Sequence, residues 1–315
     1  MKTIVSFKLN KNNLINKFIL LTTFMLIAFA VNAQHNIATK LGYPADAKLL
    51  IIHADDLGMA HSQNAASFEA IENGSVNSAS VMMPTPWVLE VANYAKKHPD
   101  THDFGLHLVL SSEWENYKFG PVSSIDQVKS LIDKHGYFHK ACMPNLKLNE
   151  VETELRAQID RAYAMGLEPT HLDSHMVCLF QSEEFIEVYL KMGQVYNLPV
   201  LVDHQVSEKL LKKYDVKIVL EEILTIMPEE YEKGTEAYYI NKIKNLKPGL
   251  STILMHTAFN NDELEAMMKD IPAWGSEWRQ KDFDFFMSDT CKELLKEEKI
   301  QLVNWRQLKE AFYSN

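Results

Sequence analysis

Cysteine is scarce and poorly placed for cross-linking. The chain has three, Cys142, Cys178 and Cys291, an odd number without a CxxC pair. That pattern implies neither a disulfide framework nor a cysteine-based zinc knot, and it leaves the fold to be held by its hydrophobic core. Past residue 33 there is no apolar run that approaches the roughly 20 residues needed to span a bilayer. A basic excess is missing too, since 32 Lys and Arg stand against 42 Asp and Glu, a formal charge of −10. An acidic surface disfavours nucleic acid and anionic membrane as partners, and leaves a neutral or cationic substrate unopposed. No internal repeat, low-complexity tract or linker divides the chain.

The N-terminus has the flanks of an export signal. Lys2, Lys8, Lys11 and Lys17 form a basic stretch without an acidic residue, and 18–31 reads FILLTTFMLIAFAV. Val31-Asn32-Ala33 then offers tolerated residues at the positions a signal peptidase reads, ahead of Gln34. The apolar run of roughly 14 residues is short for a membrane anchor. The expectation is a cleaved signal over 1–33, a mature domain over 34–315, and export to the periplasm or the extracellular space without stable membrane insertion. No Cys stands at the cleavage point, so no lipid attachment is expected there. Loss of the four lysines moves the charge from −10 to −14 on about 280 residues, a length suited to one large α/β domain.

Short β-rich apolar runs alternate with longer helical patterns, as parallel βα units do. The pattern predicts strands over 48–53, 76–83, 104–110, 169–174, 200–202, 216–220, 250–256 and 300–304. Helices are predicted over 62–72, 88–97, 150–165, 183–196, 207–213, 238–246 and 283–298. Seven or eight parallel strands with interleaved helices indicate a single α/β, (β/α) barrel-like domain, closed or slightly irregular. Residues 111–149 show no clean period, and a segment this long is either a substrate-binding lid or a solvated excursion.

In such an architecture catalytic groups gather at the carboxyl ends of the strands. Asp55 and Asp56 follow the first strand, His107 sits in the third, His171, Asp173 and His175 end the next, and His256 closes a later one. Two adjacent carboxylates repel, so a cation or a proton is needed beside them; the competing reading of Asp-Asp is a helix N-cap. A strand period of two puts His171, Asp173 and His175 on one face, costly to bury unless a metal or a hydrogen-bonded network satisfies them together. His107 taken alone is an ambiguous histidine in an apolar strand. An Asp with two His leaves coordination positions open for water. The mixed donor set suits one divalent ion, magnesium or zinc first, with manganese and cobalt as alternatives. His256 is placed either to protonate a leaving amine or to bond backbone at a strand end.

His53-Ala54-Asp55-Asp56-Leu57-Gly58, Gln63-Asn64, Asn73-Gly74, Gly105-Leu106-His107 and Pro169-Thr170-His171-Leu172-Asp173-Ser174-His175 together resemble the YdjC-like carbohydrate deacetylases, a family that includes chitooligosaccharide and hopanoid-linked sugar deacetylases. The resemblance runs from about Leu49 to His175 and resumes at His256. It implies a (β/α) barrel of the glycoside hydrolase/deacetylase type with a divalent metal on Asp56, His107 and His175, Asp55 as base, His256 as acid, and His171 and Asp173 orienting the ligands. The implied reaction is hydrolysis of an acetamide on an N-acetylated sugar or oligosaccharide, releasing acetate and a free amine. Two departures bear on the substrate: His53 stands where the family usually has Asn, and Met176-Val177-Cys178 stands where further histidines are usual. Two rival readings remain, a metal-dependent hydrolase of another amide or ester and a non-catalytic glycan-binding barrel. A homodimer is compatible with the sequence.

Overall fold

The computed structural model describes residues 36–99, 101–271 and 273–314. The expected signal over 1–33 lies outside the described residues. The first strand, β1 (Lys48–Leu57), is buried along its whole length except at Lys48. This continuous apolar burial is what a parallel strand covered on both faces requires. It runs past the expected end, so Asp55 and Asp56 belong to the strand itself.

The chain then alternates: α1 (His61–Asn73), β2 (Ser78–Val81), α2 (Val88–Lys97), β3 (Phe104–Leu108), α3 (Leu148–Ala164), β4 (Leu172–Ser174) and α4 (Glu183–Tyr196). The second half adds β5 (Glu222–Thr225), α5 (Thr235–Lys244), β6 (Gly249–Met255), α6 (Ser276–Met287), α7 (Asp289–Glu297), β7 (Gln301–Leu302) and α8 (Trp305–Tyr313). Local chemistry marks several ends. Ser182 caps α4 by accepting from the Phe185 amide, and Asn197 ends it in the left-handed region. Ser288 divides the single helix expected over 283–298, because its Oγ accepts from the Cys291 amide and starts α7.

Every ladder is parallel, in the order β4-β3-β2-β1-β6-β5, with β7 added to the start of β1. Between β4 and β5 only single bridges occur, Leu172 with Val200 and Asp203 with Leu220. The sheet is thus an open half-barrel, not a closed ring. The strand expected over 216–220 is displaced to Glu222–Thr225. Ile218 and Leu220 are fully buried, so their apolar signal reports packing, whereas the ladder to β6 begins at Glu222. Among the described residues no helix is long and apolar enough to cross a membrane.

The segment over 111–149 is aperiodic and packs against the barrel through part of its length, with the rest exposed. Phe119, Val128, Leu131 and Phe138 are buried in it, and the Glu154 carboxylate of α3 accepts from the amides of Val122 and Ser123 at 2.9 and 3.0 Å. A Cys142–Cys178 disulfide ties it to the turn after β4. The expectation of no cross-link is therefore corrected, since the fold brings together two cysteines 36 residues apart. Cys291 stays free and buried.

Close approach of β3 to the strand entering β4 depends on Gly105. A Cβ there would run into the His171 ring, which is itself stacked on Trp305 with centroids 4.9 Å apart. Gly105→Ala should cost about 1–3 kcal/mol through overpacking. Urea denaturation checks this, and a change within experimental error would show that the ring can yield.

Candidate metal centre

Successive strand residues point to opposite faces, so Asp55 and Asp56 should not be able to serve one site. A register shift between Ala54 and Leu57 removes the difficulty. Asp56 adopts φ 67°, a left-handed conformation that Asp tolerates better than most residues and that costs of order 1–3 kcal/mol. The kink turns Asp56 so that its Oδ1 lies 3.5 Å from His107 Nε2, while Asp55 Oδ1 lies 3.9 Å from Nδ1 of the same ring. Gln63 helps hold the kink, donating from Nε2 to the Asp55 carbonyl at 2.8 Å.

The two Asp56 oxygens meet different surroundings. Oδ2 accepts from Arg279 Nη2 at 2.8 Å, with His256 Nε2 at 3.7 Å. Oδ1 is buried, faces His107 Nε2 and His175 Nδ1 at 3.5 and 3.3 Å, and has no hydrogen-bond partner among the described residues. Each of those imidazoles is held from its far side by a carboxylate. Asp173 Oδ1 takes His107 Nδ1 at 2.6 Å, and Glu113 takes His175 Nε2 at 2.9 Å. When each ring is neutral these bonds hold its proton on the far nitrogen, which leaves the near nitrogen to face Asp56 Oδ1 with a lone pair.

The charges are unbalanced towards the negative. Burial pulls His175 down, but Glu113 and Asp56 outweigh it and push the ring up to about 10. His53 is likewise pulled down by burial and pushed up to about 10 by Asp173 and Asp55. Burial raises Asp56, yet Arg279 and the neighbouring histidines hold its carboxyl well below the ordinary value. His256 goes the other way, lowered to about 4 by burial and by Arg279. Such a centre favours added positive charge. A divalent cation between Asp56, His107 and His175 answers the same demand, and one carboxylate oxygen with two imidazole nitrogens is a fitting donor set.

Other groupings fit less well. His53 is fully buried beneath the aspartates, with Nδ1 on Ser78 Oγ at 2.8 Å and Nε2 near Ser80, Asp173 and Asp55 at 3.1, 3.0 and 3.2 Å. Its nitrogens are taken by protein, so this departure from the usual Asn acts on the carboxylates and does not line a substrate pocket. His171 Nε2 stands 3.7 Å from Asp173 Oδ2, beyond hydrogen-bond length, and has no partner. It packs behind the site between Gly105 and Trp305. In a separate Glu72, His98 and His102 group the Tyr94 hydroxyl bridges Glu72 and His102, 2.8 Å from His102 Nε2, and its ring stacks on His98.

The sequence-predicted residues Asp55, Asp56, His107, Asp173, His175 and His256 are thus brought together. His175 is the first residue beyond β4 and opens a 3-10 turn in which Met176 and Val177 have φ of 51° and 49°. Two residues were missed by sequence reasoning, Glu113 and Arg279. Arg279 and Asp282 share one face of α6 with Trp278, Phe285 and Phe286, all buried. A charge on an apolar helical stripe was the available signal. Glu113 lies in an aperiodic segment and left none.

Fold and site together define a parallel α/β half-barrel protein with a candidate Asp-His-His metal centre at the carboxyl edge of its sheet. The model of the YdjC-like protein family matches residues 49–297, and the chain belongs to that family. It is 30% identical over 220 residues to a carbohydrate deacetylase of Thermoanaerobacter pseudethanolicus, covering 69% of this chain and 84% of that one. To a carbohydrate deacetylase of Thermus thermophilus it is 30% identical over 283 residues, covering 84% and 96%. A crystal structure from Enterococcus faecalis, provisionally described as a cellobiose-phosphate cleavage protein, matches with a TM-score of 0.70 at 25% identity, over 83% of this chain and 99% of that one.

Removing the Arg279 guanidinium leaves the Asp56 charge buried without its closest partner. In metal-free protein Arg279→Ala should lower stability at neutral pH by roughly 3–5 kcal/mol. Because Asp56 is held below its ordinary 3.8, its contribution is present above that pH and fades as pH falls further. The penalty, read by urea denaturation in chelator, should therefore shrink below about pH 4. A penalty independent of pH would place the effect in packing instead.

Proposed function

We propose that the protein is a metal-dependent carbohydrate N-deacetylase that hydrolyses the acetamide of an N-acetylated amino sugar in an oligosaccharide or glycan. The observation that carries this reading is the unpartnered Asp56 Oδ1 facing His107 Nε2 and His175 Nδ1, in a chain whose relatives bear the name carbohydrate deacetylase.

A divalent ion held by Asp56, His107 and His175 would supply Lewis acidity, making water more acidic and polarising the acetamide carbonyl. Asp55 accepts a proton from the attacking water as its oxygen adds to the carbonyl carbon. His256 gives a proton to the sugar nitrogen as the C–N bond breaks, leaving acetate and a free amine. Since burial and Arg279 lower His256 to about 4, it enters the cycle neutral. The proton it delivers is gained within the site, and the attacking water, by way of Asp55, is its source. Arg279 fixes Asp56, and Asp173 fixes His107.

Export is part of the same proposal. The basic and apolar leader is one support, and the Cys142–Cys178 disulfide is another, because such bonds persist in oxidising compartments. Secreted protein should begin at Gln34 by N-terminal sequencing; a mature chain retaining Met1 would contradict it.

Incubation with N-acetylglucosamine oligomers should release acetate, and a chelator should abolish the release. His107→Ala and His175→Ala should lose bound metal and activity together. Asp55→Asn should retain metal while kcat falls by about 10²–10⁴-fold. Metal-loaded protein inert on a broad panel of N-acetyl glycans, but active on other amides or esters, would favour the rival hydrolase.

A further inference from the structure

The two imidazoles that face Asp56 are supported unequally. His107 is held by Asp173, a residue of the sheet itself, at 2.6 Å. His175 is held by Glu113, whose carboxylate oxygens lie 2.9 and 3.2 Å from Nε2. Glu113 belongs to the segment over 111–149, outside the sheet, and several contacts fix it there. The adjacent Trp114 lies buried and parallel to the His175 ring, at 16° and 6.0 Å between centroids, and its indole NH donates to Met268 Sδ. Tyr117 donates to the Met59 carbonyl just beyond β1 at 2.6 Å. The Cys142–Cys178 disulfide ties the far part of the segment to the turn that His175 opens.

We propose that Glu113 is a positioning residue of the metal centre: it takes the Nε2 proton of His175 and fixes the ring so that the Nδ1 lone pair faces Asp56, with the segment over 111–149 as its mount. The inference rests on the reading of Asp56, His107 and His175 as metal ligands. A carboxylate on the far nitrogen of a ligating histidine fixes its orientation and strengthens it as a donor, and its loss typically weakens metal binding by about 10–100-fold. The segment then has a defined task. It completes the metal centre and is not a removable cover.

The test is Zn²⁺ affinity of the full mature chain, by competition with a chromophoric chelator, for wild type, Glu113→Ala, Glu113→Gln and His175→Ala. The ¹⁵N spectrum of the imidazoles supplies a second readout that loss of packing alone would not move in the same way. Glu113→Ala should weaken Zn²⁺ by about 10–100-fold, and in the Zn²⁺-loaded protein the His175 Nε2–H signal should lose the downfield shift of a proton held by a carboxylate. Glu113→Gln keeps size and an acceptor oxygen, so it guards against a misfolded alanine variant. It should show a smaller loss, roughly a few-fold, because a neutral acceptor bonds less strongly than a carboxylate. Unchanged affinity and Nε2–H signal in folded Glu113→Gln and Glu113→Ala, with affinity lost in His175→Ala, would overturn the role of Glu113 and leave the metal reading standing. Unchanged affinity in His175→Ala would overturn both.

Discussion

The geometry of the site turns on how Asp56 divides its two carboxylate oxygens. Arg279 takes Oδ2 at 2.8 Å, and the left-handed backbone at the β1 kink aims Oδ1 between two imidazoles. A buried carboxylate with only half its capacity satisfied is costly unless a cation completes it. The guanidinium engages Oδ2, which leaves Oδ1 as the oxygen that a bound cation would meet. Arg279 comes from α6, far along the chain, and its Nη1 also binds Gln63 Oε1 at 2.9 Å. The helix after β6 is thereby locked to the helix after β1, across the middle of the half-barrel.

Around that pair the support is layered. Asp173 and Glu113 hold the two histidines, and His53 lies below, bridging Asp55 and Asp173 to Ser78 and Ser80. His53 is the residue that most distinguishes this chain's motif, and its burial gives the departure a physical meaning. An imidazole there can carry a positive charge between two carboxylates, as burial is outweighed by Asp173 and Asp55. The exposed departures are Met176 and Val177, 48% and 62% accessible beside His175. Variation in the substrate is more naturally sought at those two side chains than at His53.

Much of this was legible in the sequence because strand ends announce themselves. A buried apolar run ending in Asp-Asp, a Gly-Leu-His and a His-Leu-Asp-Ser-His each mark the edge of a parallel sheet. What stayed hidden depended on long-range placement. The kink at Asp56 leaves no compositional trace, since Asp is common in strands' ends and turns alike. Cys142 and Cys178 meet only because the segment over 111–149 folds back on the turn after β4. The expected strand over 216–220 failed because Ile218 and Leu220 are buried without a ladder. Of the two forms expected, closed or slightly irregular, the sheet takes the open one, because among the described residues single bridges alone link β4 towards β5.

The proposed chemistry rests on one divalent ion shared by Asp56, His107 and His175. Anomalous diffraction from crystals grown with zinc tests it most directly. A single strong peak is expected about 2.0–2.2 Å from Asp56 Oδ1, His107 Nε2 and His175 Nδ1. A peak at Glu72, His98 and His102 with none at these three atoms would contradict it.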